Sequence, residues 1–290
     1  MSSDIPPLAY LAVLAGALLH AGWNVAIRAG ADRRMETARL VVGGSLAALL
    51  VLPFLRQPAA AAWPHLLLTA LLHVAYFGLL AAAYARARVA VSYPLMRGVA
   101  PVLVLVASIW LFSEPLRPLA VGGVAAVVLG VLLLRARLLP GEGGALRYAL
   151  ANAVVIAAYT LNDAAGARLS GAPMSYALWT FPLTALPTVW WLMRGRRLGT
   201  LLLPTPGQPA SLRQSVRLLL RGMGGGASSL VSYALALWAM TVAPVGPVAA
   251  LRETAMLFGL LLAWLFLGER PTRRGLLAVV CIALGAALLR

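Results

Sequence analysis

The chain alternates long apolar runs with short polar breaks. Ten runs reach spanning or near-spanning length, at roughly 7–28, 37–55, 64–85, 93–113, 116–134, 147–167, 174–193, 216–240, 246–267 and 272–289. A helix needs about 20 apolar residues to cross the hydrocarbon core of a bilayer, and shorter ones cross with local adjustment. Backbone polar groups in lipid must be satisfied within the segment, so each run is expected to be an α-helix. The short alternating segments that build a membrane barrel are missing. Pro, Gly and Arg punctuate the breaks, as in Arg56-Gln57-Pro58, Ser113-Glu114-Pro115 and Gly268-Glu269-Arg270-Pro271.

The pattern also repeats. The stretch from Tyr93 to Leu133 returns 155 positions later, placing Arg97 on Arg252, Glu114 on Glu269 and Gly130 on Gly285. At an offset of 139, His20 and Asn24 fall on Tyr159 and Asp163. The change of offset is absorbed before the ninth run, in the long loop 194–215 with Pro204, Pro206 and Pro209. Residues 135–146 form a charged, Gly-rich joint, so the halves are expected at 1–138 and 146–290. Five helices per half is an odd number, and the second half must then enter the membrane in the opposite sense. The expected fold is an all-α integral membrane protein of ten transmembrane helices in two inverted five-helix repeats.

Composition agrees. The 290 residues are 62% hydrophobic and 11% charged, against about 25% charged in a soluble chain. The net charge of +16 would point to nucleic acid in a soluble protein. Here the basic residues, all 24 of them Arg, lie mostly in short loops, where they set orientation, and no nucleic-acid partner is expected. Seventeen Arg group on one side, and Arg56, Arg117, Arg168 and Arg290 on the other. The positive-inside bias puts the larger group in the cytoplasm and both termini outside. The single Cys281 can form no intramolecular disulfide. Nucleotide-binding Gly loops, HExxH, Cys/His metal sets and G-x-S-x-G are missing, so no catalysis, cofactor or metal is expected.

Ionisable groups inside spans are costly and become functional candidates. Arg97 and Arg252, related by the repeat, are expected to face a central cavity and hold an acidic group, since guanidinium suits planar anion recognition. Asp163 and Glu253 are candidates for proton coupling or for a counter-ion role, with Asp163 pairing to Arg252 as the plainer alternative. His20, Trp23 and Asn24 share a polar and aromatic face of the first helix, and His73 and Tyr76 form a similar pair on the third. Tyr93, Tyr159, Tyr233 and Trp238, with Tyr84, would complete aromatic walls or cage an ammonium group. Glu114 and Glu269 read as caps for the helices that follow them. Gly122, Ala126 and Gly130, with Ala283 and Ala287, read as small-residue packing ladders. Gly224-Gly225-Gly226 reads as a site of close helix approach or a bend.

At LHAGWN (19–24), YPLMRGVAP (93–101), YTLNDAAGARLSG (159–171) and LWAMTVAPVGPVAALRETAMLFGLLLAWLFLGER (237–270) the chain resembles the EamA-type members of the drug/metabolite transporter superfamily. The likeness runs through nearly the whole chain. Ser113 stands where such proteins carry the Gly of a Gly-Glu turn. The resemblance implies ten helices in two inverted repeats. It further implies a multi-pass protein of the bacterial inner membrane that moves a small polar metabolite by alternating access. An amino acid, an aminophosphonate or a similar zwitterion or anion is the expected substrate, with export coupled to protons. A carrier of quaternary ammonium or cationic drug-like compounds, a lipid-linked-sugar flippase and a non-transporting membrane partner are the rival expectations. The partners implied are the small-molecule substrate, the lipid bilayer and protons.

Overall fold

The computed structural model describes residues 5–28, 33–87, 89–114, 117–134, 139–195, 201, 211–268 and 272–289. Their regular elements are all helical. In chain order they are α1 Pro7–Arg28, α2 Arg33–Val51, α3 Trp63–Tyr84, α4 Val89–Phe112, α5 Pro118–Leu133, α6 Ala145–Ser170, α7 Pro173–Leu192, α8 Leu212–Val242, α9 Val245–Leu251, α10 Ala255–Leu267 and α11 Arg273–Leu288. A helix therefore stands at each of the ten apolar runs, and the ninth is divided. A single 3-10 turn, Arg252–Thr254, separates α9 from α10. Among the described residues, six stretches are long and apolar enough to cross a membrane, including α1, α4, α8 and the α9–α10 pair. Most of the 194–215 loop, part of the 135–146 joint and Glu269 fall outside the described residues.

The packing maps onto itself when the halves are exchanged. α3 and α4 pack on α6, and α8 and α10 pack on α1; α2 packs on α8, and α7 packs on α3. The two closing helices, α5 and α11, lie against each other. Close approach is made by glycine where backbones nearly touch. A Cβ on Gly226 would lie 2.1 Å from the Gly44 nitrogen, and one on Gly43 would lie 2.3 Å from the Gly222 carbonyl carbon. The glycine run of α8 thus serves α2 through Gly222 and Gly226, whereas Gly224 faces open space.

Two expected small-residue ladders are corrected. Gly122, Ala283 and Ala287 are exposed. The α5–α11 seam instead runs through Gly123, Val127 and Gly130 against Ala278, Ile282 and Gly285. One residue of offset turns a helix face by 100°, and an all-round apolar sequence gives no contrast from which to read that rotation.

Ser113 takes φ +52°, beside +68° at its repeat counterpart Gly268. The turn that follows α4 therefore keeps the left-handed geometry of the glycine turn without the glycine. A left-handed non-glycine residue costs about 1 kcal/mol or more. Ser113→Gly is expected to stabilise the protein by about 0.5–1 kcal/mol, read as a raised melting temperature in detergent.

Candidate functional site

The divided ninth span brings two charges to the centre. Arg252 and Glu253 occupy the 3-10 turn, and irregular backbone at membrane depth is tolerated where it lines a cavity or is buried in protein. From α4, Arg97 meets Glu253 in a two-pronged pair: Nε donates to Oε2 at 3.0 Å, and Nη2 lies 2.7 Å from Oε1. Both side chains are largely buried, at 13% and 6% exposure. Parallel N–H···O contacts of this kind fix the guanidinium plane and neutralise the charge of both partners. The pair also joins the first half of the chain to the second.

Arg252 is placed differently. Its guanidinium lies 5.4 Å from the centre of the Tyr233 ring, and no carboxylate lies within ion-pair distance among the described residues. Arg97 and Arg252 line one hollow, together with His20, Ala17 and Gly16 of α1 and Ser232 of α8. The hollow is a small cavity of about 10 Å³. That is room for about one water, so the site is nearly closed in this conformation. Of the two arginines lining it, Arg97 holds the Glu253 carboxylate directly, whereas Arg252 lies against the Tyr233 ring.

Asp163 forms the second polar centre and is fully buried on α6. Its partners are hydroxyls rather than an arginine. Tyr176 OH donates to Oδ1 at 2.8 Å, Thr69 Oγ1 also donates to Oδ1, and Tyr233 OH donates to Oδ2. The expected Arg252–Asp163 pair is corrected accordingly: the Tyr233 ring carries Arg252 against its face and Asp163 at its hydroxyl. Gly166 makes this possible, since a Cβ there would lie 2.4 Å from the Tyr176 hydroxyl. The network runs on from Thr69. Asn162 Nδ2 donates to Thr69 Oγ1 at 2.9 Å and to the His65 carbonyl at 2.8 Å, and Asn162 Oδ1 lies 2.7 Å from His65 Nδ1.

The remaining sequence candidates divide. His73, Tyr76 and Tyr159 form one aromatic group, with ring centres 4.8, 6.2 and 6.3 Å apart. His73 Nδ1 lies 2.8 Å from the Thr69 carbonyl, which can only accept, so that nitrogen carries the proton. Trp23 packs edge-on to His20 at 4.8 Å, and its buried indole N–H has no hydrogen-bond partner among the described residues. Asn24 donates to the His20 carbonyl one turn back, at 2.7 Å. Tyr93 lies one turn before Arg97 on α4. Tyr84 packs with the α3–α4–α6 apolar cluster, and Tyr233 and Trp238 pack with the central one. Thr69, Asn162, Tyr176 and Ser232 were not legible as site residues. Hydroxyls and amides are common in helices, and only the neighbourhood of Asp163 and His73 hinted at them.

Comparison with known proteins follows this geometry. A family model described as the EamA-like transporter family matches residues 7–136 and again 145–290. No curated protein matches the sequence. The fold is similar to that of a solved crystal structure, with a TM-score of 0.70 at 21% identity over 97% of this chain and 95% of that one.

Proposed function

The chain belongs to the EamA-like transporter family and is a membrane transporter of the drug/metabolite type, and on that premise we propose that it carries a small zwitterionic or anionic metabolite, such as an amino acid or an aminophosphonate, outward by proton-coupled alternating access. The observation that carries the substrate class is the charge in the hollow. Arg97 is already neutralised by Glu253, and the guanidinium of Arg252 is left to receive a single acidic group. A quaternary ammonium or cationic drug-like compound fits less well, since it would meet that guanidinium without a compensating carboxylate.

In this reading ten helices cross a bacterial inner membrane as two inverted halves, with both termini outside. The exchange symmetry of the helix contacts supports the repeat. Asp163 serves as the proton site, released from or returned to its three hydroxyl donors as the cycle turns.

The test uses proteoliposomes and a radiolabelled panel of glycine, leucine, phenylalanine and 2-aminoethylphosphonate. Wild-type protein should accumulate at least one of these when a pH gradient is imposed. Asp163→Asn should abolish gradient-driven accumulation while leaving exchange of labelled for unlabelled compound. Accumulation by the variant equal to wild type would remove Asp163 from coupling. Absence of flux for every compound would remove the substrate class.

A further inference from the structure

A second charged cluster lies away from the hollow, on the face of the bundle where α4 turns into α5, α6 ends and α8 turns into α9. Glu114 was expected to cap α5. It is buried, at 7% exposure, and serves the other half of the chain. The backbone N–H of Val245, first residue of α9, donates to both of its carboxylate oxygens at 2.9 Å. Arg168, near the end of α6, donates from Nη2 to Glu114 Oε1 at 3.0 Å. The same guanidinium binds the end of α8, from Nε to the Met240 carbonyl at 2.9 Å, and stacks 4.5 Å from the Phe112 ring centre. Residues 243–251 are buried without exception, so the start of α9 has no water to satisfy it and depends on this carboxylate.

Position gives the cluster its role. Met240 lies one turn beyond Ala236 on α8, and Val245 lies about two turns before Arg252 along α9. Ala236 and Arg252 both line the hollow. Any opening of the hollow toward this face must separate the α8–α9 corner from the α4–α5 turn and the end of α6. Glu114 and Arg168 bridge those three elements with charge-assisted bonds.

We propose that Glu114 and Arg168 are positioning residues of transport: a latch that holds the α8–α9 corner shut over the hollow and must release once in each cycle. This rests on the alternating-access reading above, but its test needs no substrate. Cys281 is replaced by alanine, and Ala17→Cys places a reporter thiol in the hollow. A membrane-impermeant maleimide is then applied to sealed vesicles of each orientation. Glu114→Gln keeps the shape of the side chain and loses its charge. It should raise labelling from the latch face by about tenfold, the effect of losing one charge-assisted hydrogen bond, and should lower labelling from the opposite face. Arg168→Gln should act in the same direction and serves if the first variant does not fold. Opposite changes on the two faces mark a shifted conformational equilibrium. A rise on both faces marks loosened packing, and it overturns the latch, as does unchanged labelling in a folded variant. Flux that is missing from wild type, with labelling still shifted by Glu114→Gln, would count against the transport reading and leave the latch standing.

Discussion

Arg252→Gln is expected to reduce transport by about 10–100-fold while leaving the melting temperature close to that of the wild type. The two halves of this result have one cause. The guanidinium faces the hollow over the Tyr233 ring, and among the described residues no carboxylate lies at ion-pair distance from it, so its removal strands no ion-paired partner. What is lost is the charge-assisted contact to an acidic substrate group, worth about 1.5–3 kcal/mol, or about 10–100-fold in affinity. Glutamine keeps a polar head of similar reach, which separates the role of charge from the role of volume. The measurement is initial-rate flux in proteoliposomes, for whichever compound of the panel the wild type carries, beside a thermal melt of the same preparation. A variant that transports normally would show that the acidic group binds elsewhere.

Arg97→Met has the larger effect on stability. It leaves Glu253 at 6% exposure without its partner, and stranding one member of a buried pair costs about 3–5 kcal/mol. The expected outcome is a chain that aggregates or melts many degrees early in detergent. Adding Glu253→Leu should recover most of the loss, because the desolvation penalty of both charges disappears together. The double variant should still fail to transport, since it removes the anchor between α4 and the divided ninth span. Thermal melts of the two single variants and the double variant give the coupling directly. If the singles prove as stable as the double, the pair is not coupled in the folded state.

Helix positions were readable because lipid imposes length and apolarity on every span, and those two quantities can be counted along a sequence. The central charges were readable for a related reason: an arginine or acid within an apolar run has few bland explanations. What escaped was pairing across long separations. Nothing local to Glu114 tells that its carboxylate serves Val245, 131 positions away. Asp163 reads either as a proton carrier or as a counter-ion to a buried arginine, and the second alternative rests on opposite charge being the simplest compensation. Three hydroxyls do the same work, and their residue types carry no distinctive signal. The interruption at Arg252–Thr254 has no proline or glycine within it, so the apolar run around it read as one helix. Likewise the α5–α11 seam keeps the expected Gly130 but takes Gly123 and Val127 in place of Gly122 and Ala126, because both helices are apolar on every side.

The near absence of free volume around Arg252 and Arg97 has an electrical consequence. A charged bilayer keeps its voltage only if every protein embedded in it insulates when idle. With room for about one water between Arg97 and Arg252, this hollow cannot hold a file of water along which protons or small ions could hop. Under the proposed proton coupling, the gradient would not drain through this hollow, and current should flow only when cargo moves.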